Sequence, residues 1–278
     1  MFEGRRLLVA TNHGKEQVIA PILERVLGVH CLVDDSFNTD QFGTFTGEME
    51  RKDNALDTVR SKCRKAMEHT GLDLVVASEG SFGAHPTIFF AKLNEELLLL
   101  VDAKNGLEIS VREWSLETNF DGQQVASLAE LFEFVNRVQF PSHALILRKS
   151  ATDMQEIEKG ILDWAKLGES FLYFMQQFGS VYVETDMRAM CNPSRMHVIE
   201  KATFQLVEKI QSLCPTCAAP GFGCVGATPG LPCEMCNMPT NSVLSLTYSC
   251  LKCGETSEKK YPNDKRYEDP TYCNWCNP

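Results

Sequence analysis

The chain opens with a short apolar run, Leu7-Leu8-Val9-Ala10, that reads as a strand. Thr11-Asn12-His13-Gly14-Lys15 follows as a turn. Glu16–Leu27 then has the spacing of an amphipathic helix, with Val18, Ile22, Leu23 and Val26 on one side and Gly28 as its stop. A polar stretch over residues 34–51 separates it from a second helix over 54–69. The apolar stripe of that helix is Ala55, Val59, Cys63 and Ala66-Met67, and Gly71 ends it. Residues 72–77 read as a buried strand, because their apolar positions do not alternate. Residues 87–93 and 97–101 flank Asn94-Glu95-Glu96, which predicts a β-hairpin turning there. Further on, the pattern predicts a helix over 128–138, a strand over 143–147, a helix over 153–167 and a strand over 181–183. A long helix over 193–213 carries Pro193 in its first turn. Alternating strands and helices predict an α/β domain.

The pattern changes at Cys214. Nine of the twelve cysteines lie from there on, with Pro, Gly and Asn crowded between them. The expected organisation is a domain over 1–213 and a cysteine module over 214–278, docked on the domain because no flexible linker precedes Cys214. Eight of these cysteines form the pairs Cys214/Cys217, Cys233/Cys236, Cys250/Cys253 and Cys273/Cys276. A two-residue spacer lets two thiolates meet one tetrahedral ion from a single turn, so four pairs predict two structural zinc ions. The rivals are a disulfide framework, which the missing secretory signal disfavours, and a redox motif, for which one pair would suffice. A strand over 243–248 lies between Cys233/Cys236 and Cys250/Cys253. That is a zinc-ribbon layout and joins these two pairs, leaving Cys214/Cys217 to join Cys273/Cys276; a cross-braced arrangement stays open. Cys224 falls between pairs and is spare, while Cys31, Cys63 and Cys191 are scattered apolar-type residues.

Charge narrows the partners. The formal net charge is -10, and from Cys214 onward five Lys/Arg face six Asp/Glu. Both disfavour broad nucleic-acid affinity without excluding it. No apolar run approaches the length of a membrane span, and the first apolar run is too short for a signal-peptide core, so a cytoplasmic protein is expected.

The turn Thr11-Asn12-His13-Gly14-Lys15 sits between a strand and a helix, where backbone N–H groups can receive a phosphate and a lysine adds charge. An ordinary solvated turn is the rival reading. Glu48, Glu50 and Asp53 precede Asn54 and could hold a magnesium ion, or merely favour a helix start. The strand over 72–77 leads into Ser78-Glu79-Gly80-Ser81-Phe82-Gly83. An acid at the carboxyl end of a central strand lies where open α/β sheets bind ligands. His85 follows within reach of the same crevice.

Thr-Asn-x-x-Lys after the first strand, an acidic stretch with Asn54-Ala55, and a strand leading to Glu-x-Gly resemble the inosine/xanthosine triphosphate pyrophosphatase and Maf-like superfamily of nucleotide hydrolases. The resemblance spans about residues 5–105 and implies a mixed sheet flanked by helices. It also implies that Thr11, Asn12 and Lys15 hold phosphate, that Glu50 or Asp53 binds the metal, and that Glu79 is the acid of the central strand. The Asp-Asp-Ser-Gly found in many members is replaced by Glu79-Gly80-Ser81-Phe82. As a whole, the chain looks like an uncharacterised bacterial family with a C-terminal zinc-ribbon module, a resemblance that supplies no activity.

A second polar group follows the strand over 181–183: Glu184-Thr185-Asp186-Met187-Arg188, then Asn192-Pro193-Ser194-Arg195 and His197. Arg188 and Arg195 could bind a phosphate or carboxylate, or Asp186 could pair with one of them inside the fold. The resulting expectation is a magnesium-dependent hydrolase or transferase acting on a nucleotide phosphate. Lys15 with His13, Gly14, Ser81 and His85 lines the ligand, Glu79 with Glu50 or Asp53 holds magnesium, and Asp186, Arg188 and Arg195 complete the crevice. The alternatives are a non-catalytic nucleotide- or RNA-binding protein whose zinc module contacts a partner, and a nucleotide-dependent modifying enzyme that takes a second substrate on the middle segment.

Overall fold

A computed structural model describes residues 1–34, 36–37 and 54–278. It divides into two units, Met1–Val207 and Glu208–Pro278, so the boundary falls six residues before the expected one. The first unit is mixed α/β and carries two sheets.

The first sheet has the order β2-β1-β3-β4-β5. Its strands are β1 (Arg6–Ala10), β2 (His30–Leu32), β3 (Leu74–Ala84), β4 (Lys92–Asp102) and β5 (Leu107–Ser115). β1 pairs parallel with β2 and β3, while β3–β4 and β4–β5 are antiparallel. Helix α1 (Glu16–Leu27) links β1 to β2, and α2 (Ala55–Thr70) precedes β3. Leu8, Ala10, Val75, Ala77, Leu97 and Leu99 point to one face and pack with Val59, Cys63 and Ala66 of α2. Parallel crossovers are right-handed, and these two step in opposite directions along the sheet, which places α1 on the other face.

Two expectations fail here for one reason. β3 does not stop at Ala77 but runs to Ala84, and Asn94-Glu95-Glu96 is not a turn but the interior of β4. The register pairs Glu79 with Leu97 and Gly80 with Glu96. Polar residues inside long paired strands mimic turn chemistry when read locally. The buried stripe of α1 is Ile19, Ile22 and Leu23, so Val18 and Val26 lie at its margins. Asn54 caps α2, its side chain accepting from the N–H groups of Leu56 and Asp57, and Gly71 closes that helix in the left-handed region.

The second sheet has the order β6-β9-β7-β8, built from β6 (Gly122–Val125), β7 (Leu145–Arg148), β8 (Ile157–Ile161) and β9 (Val181–Thr185). Helices α3 (Leu128–Arg137) and α4 (Trp164–Phe178) cover one face, their Leu131, Phe134, Phe171 and Phe174 packing on Leu145, Leu147, Val181 and Val183. The helix expected over 153–167 is instead β8 followed by the start of α4, with Asp163 capping α4 by accepting from Lys166 N. Helix α5 (Pro193–Gln211) follows β9. The second unit carries three antiparallel strands, β10 (Gly223–Pro229), β11 (Val243–Ser249) and β12 (Thr256–Lys260), in sequential order. Among the described residues, no helix is long and apolar enough to cross a membrane.

Candidate functional site

The β1–α1 turn keeps its expected place. His13 and Gly14 both have φ in the left-handed region, at 66° and 78°. Lys15 then turns right-handed to start α1. Successive N–H groups in such a turn form a concavity suited to an anion. Thr11 Oγ1 is buried there with no hydrogen-bond partner among the described residues. The turn rests on the short helical turn Ala189–Cys191, where Met190 N donates to His13 O at 2.8 Å and a Cβ on Gly14 would lie 3.3 Å from Met190 Cβ.

Lys15 turns inward. Its Nζ donates to Ser78 Oγ at 3.0 Å and lies 3.7 Å from Glu96. Burial drives its pKa down to about 7; Glu96 and, more weakly, Glu79 oppose that shift, and Arg195 and Lys62 reinforce it. Glu96 is also paired with Arg195, Nε to Oε1 at 2.7 Å, with both side chains fully buried. Arg195 further donates to Met187 O and lies over the Phe82 ring, 5.2 Å from its centroid. A side chain at Gly80 would overlap the Arg195 guanidinium and the Glu96 carboxylate, so only glycine fits.

Glu79 does not join Lys15. Strand alternation sends Ser78 and Glu79 to opposite faces, and Glu79 emerges on the α2 side, where it is bonded to Lys62. Lys62 also donates to Ser78 O at 3.4 Å. Glu79 and Lys15 thus lie on opposite faces of the sheet: Lys15 pairs with Glu96, and Glu79 acts on it through its charge alone. Glu48, Glu50 and Asp53 lie outside the described residues. Ser81 shares the Glu79 face and donates to Glu95 at 3.4 Å. His85 accepts from the N–H groups of Thr87 and Ile88 and so caps the β3–β4 turn. Six residues beyond Glu79, it lies about 20 Å along the strand direction. Asn12 is half-buried in the β1–α1 turn.

The group after β9 splits in two. Asp186 is fully buried and bound by Arg188, Nε to Oδ1 at 3.0 Å, and by Gly160 N at 3.1 Å. That hydrogen bond raises the Arg188 pKa, so the pair is an internal clasp rather than an open anion site. Arg195, by contrast, reaches the first sheet even though β9 belongs to the second. Asn192 Oδ1 accepts from Arg195 N at 2.9 Å and sets the start of α5. His197 is exposed beside Glu200.

Sequence reasoning missed Lys62 and Glu96. Lys62 had a signal: Ala55, Val59, Lys62 and Ala66 share one helical stripe, and a lysine there needs a buried partner. Glu96 had none apart from its alternation with Asn94 and Leu98.

The cysteines form two groups, Cys214/Cys217/Cys250/Cys253 and Cys233/Cys236/Cys273/Cys276, each with all four sulfurs within 4.8 Å of one another. The pairing is interleaved, first with third and second with fourth, which corrects the expected ribbon pairing. Thiolates about 2.3 Å from a tetrahedral zinc ion lie about 3.8 Å apart. The closest cross-pair sulfurs here are 3.6 and 3.7 Å apart in one group and 3.6 and 3.8 Å in the other. Each group could hold a zinc ion. The Cys253 N–H, joined by that of Lys252, holds the Cys250 thiol down to about 7 against desolvation. At Cys273 desolvation is outweighed by the N–H groups of Trp275 and Cys276, with the same result of about 7. Three of the four pairs are followed by a left-handed residue, Ala218, Asn237 and Gly254, whose chain turns back onto its own first cysteine. Cys224 belongs to neither group. These are also the only groups of three or more His, Cys, Asp or Glu among the described residues that could hold a metal.

Fold and site together define an α/β protein with a C-terminal module of two four-cysteine centres. The chain belongs to the DUF6671 family, a domain of unknown function, which matches residues 62–278. The match includes Glu79, Glu96, Arg195 and every paired cysteine, and the β1–α1 turn lies before it. No curated protein matches the chain. Among solved structures, a crystal structure of protein VC0702 from Vibrio cholerae is 8% identical over 74% of this chain and 94% of its own, with a TM-score of 0.34. Lipoprotein GNA1162 from Neisseria meningitidis is 18% identical over 49% of this chain and 95% of its own, with a TM-score of 0.22.

Proposed function

We propose that the α/β unit binds a phosphate-bearing small molecule of nucleotide type at the β1–α1 turn, and that each four-cysteine group holds one structural zinc ion. The β1–α1 turn carries the first part: His13 and Gly14, both left-handed, bring successive N–H groups together, and the buried Thr11 Oγ1 has no hydrogen-bond partner among the described residues. An anion against the turn would accept from Thr11 Oγ1, and Lys15 follows at the start of α1. The fully thiolate donor sets support the second part, since four cysteines leave no open position for chemistry and make the ions structural.

Binding is the reading we propose: among the described residues, the two acids near Lys15 are already engaged, Glu79 by Lys62 and Glu96 by Arg195. Calorimetry with a panel of nucleoside mono- and triphosphates, with and without magnesium, tests the proposal. Lys15→Met should weaken binding at least tenfold. Affinity should also fall as pH rises above 7, because neutral Lys15 must take up a proton before it can hold an anion. No binding by any member of the panel, or an unaffected Lys15→Met variant, overturns the site. Release of phosphate or pyrophosphate in the same tubes would instead establish a hydrolase or transferase.

A further inference from the structure

The helices over the second sheet leave an apolar groove open. On α3, Leu128 and Phe132 are one turn apart and 54% and 50% exposed, although the same helix buries Leu131, Phe134 and Val135 fully. On α4, Trp164 and Leu172 are 46% and 55% exposed, with Gly168 between them at the i, i+4, i+8 spacing of one stripe. The two stripes meet: Phe132 stacks on Trp164 at 5.9 Å between ring centroids, and Trp164 stands edge-on to Phe140 at 4.8 Å. β6 runs parallel to β7 and antiparallel to β8, so α3 and α4 are antiparallel neighbours. With no side chain on Gly168 the α4 stripe dips between Trp164 and Leu172, and a Cβ added there would enter open space, with no heavy atom within 4 Å.

We propose that this groove receives an amphipathic helix with basic flanks from a partner protein. Shape argues for a helix, because a channel between two antiparallel helices takes a third along its length. Charge argues for a basic one. The exposed acids beside the stripes are Glu133 on α3 and Asp163 and Glu169 on α4. The nearby cations are Lys166, shared by Glu158 and Glu169, and Arg137, held by Asp121, so acids outnumber cations on this face even with those pairs counted. A second copy of this groove would set carboxylates against carboxylates, and an anionic membrane surface would be repelled in the same way. A partner with aliphatic anchors and lysine or arginine flanks satisfies both features.

The test uses the full chain and two synthetic 18-residue helical peptides with the same leucine stripe, one flanked by lysines and one by glutamates. The lysine peptide should shift Trp164 emission to the blue and bind at least tenfold tighter than the glutamate peptide. Gly168→Leu fills the groove while improving helix propensity, so it should fold at least as well and bind at least tenfold more weakly. Leu172→Lys should act similarly through charge and lost contact. Equal binding of the two peptides, no binding of either, or unchanged affinity of Gly168→Leu overturns the proposal. So does self-association in sedimentation that Gly168→Leu abolishes, or a Trp164 shift produced by neutral phosphatidylcholine vesicles.

Discussion

In residues 1–207, ionised groups are withdrawn from water among aliphatic side chains and neutralise one another, as Arg195 does with Glu96 and Lys62 with Glu79. Those pairs sit inside a fold already held by two apolar cores. Residues 208–278 have no comparable core. Cys214, Ala219 and Cys250, with Phe222 packed against them, are the one apolar cluster of buried residues described there. The paired cysteines of that unit gather instead into two four-sulfur groups, each of which could hold a zinc ion. The contrast teaches where each unit is vulnerable. Removing a charged partner from the first leaves a buried ion in an otherwise standing fold, whereas, with zinc held as proposed, removing a cysteine from the second should take away what holds it together.

The sharpest way to break that comparison is to test the cysteine pairing directly. A Cys217→Ser/Cys253→Ser double variant strikes one ion and should retain one zinc per chain by elemental analysis. Cys217→Ser/Cys276→Ser strikes both and should retain none. Ribbon pairing would give none for the first double and one for the second. Structural zinc in small modules contributes roughly 10–16 kcal/mol of apparent folding free energy. Loss of both ions should therefore collapse amide-exchange protection of β10–β12 while protection of β1, β3 and β4 persists. Equal loss of protection in both units would show that they are not energetically separate.

A smaller effect belongs to the first unit. Arg195→Ala leaves Glu96 buried beside Lys15 and should cost about 3–5 kcal/mol in denaturant unfolding. Arg188→Ala should cost less, about 2–3 kcal/mol, because Asp186 keeps the Gly160 N–H and Arg188 is partly exposed. Replacing Arg195 and Glu96 together by Met and Leu should recover much of the first loss. If Arg195→Ala melts normally, the buried pair is not holding the sheets as the geometry requires.

The same contrast explains what could be read along the chain. Metal-site chemistry is local, since Cys-x-x-Cys declares its pattern within four residues, and all eight members of the two cysteine groups were legible. Which pair joins which is a long-range fact, and it was misread. The elements α2, β7, β9 and α5 were legible because periodicity and caps such as Asn54 and Pro193 are local as well. The ion network was not, because it depends on strand register. Glu96 meets Arg195 only because β4 runs unbroken through Asn94-Glu95-Glu96 and places Glu96 opposite Gly80. Nothing short-range distinguishes that run from a polar turn. Arg195 was singled out for its charge, and its burial against a strand of the other sheet could be seen only once the chain had folded.

The smallest effect sharpens the comparison most finely, because it changes the second unit without touching a ligand. Ala218 occupies the residue after Cys217 with φ 54°, where Asn237 has 58° and Gly254 has 77° in the equivalent turns. A left-handed conformation costs an alanine roughly 1–2 kcal/mol through its Cβ. Glycine escapes that cost but gives back roughly 0.5–1 kcal/mol in unfolded-chain entropy. Ala218→Gly should thus stabilise the module by about 0.5–1 kcal/mol. Asn237→Gly should gain less, since asparagine tolerates this region. The gain should appear as a higher chelator concentration needed to unfold residues 208–278, with the melting of residues 1–207 unmoved. If Ala218→Gly instead destabilises the module, the alanine methyl contributes packing that outweighs its backbone strain, and the repeated turn is not the strained element that its φ indicates.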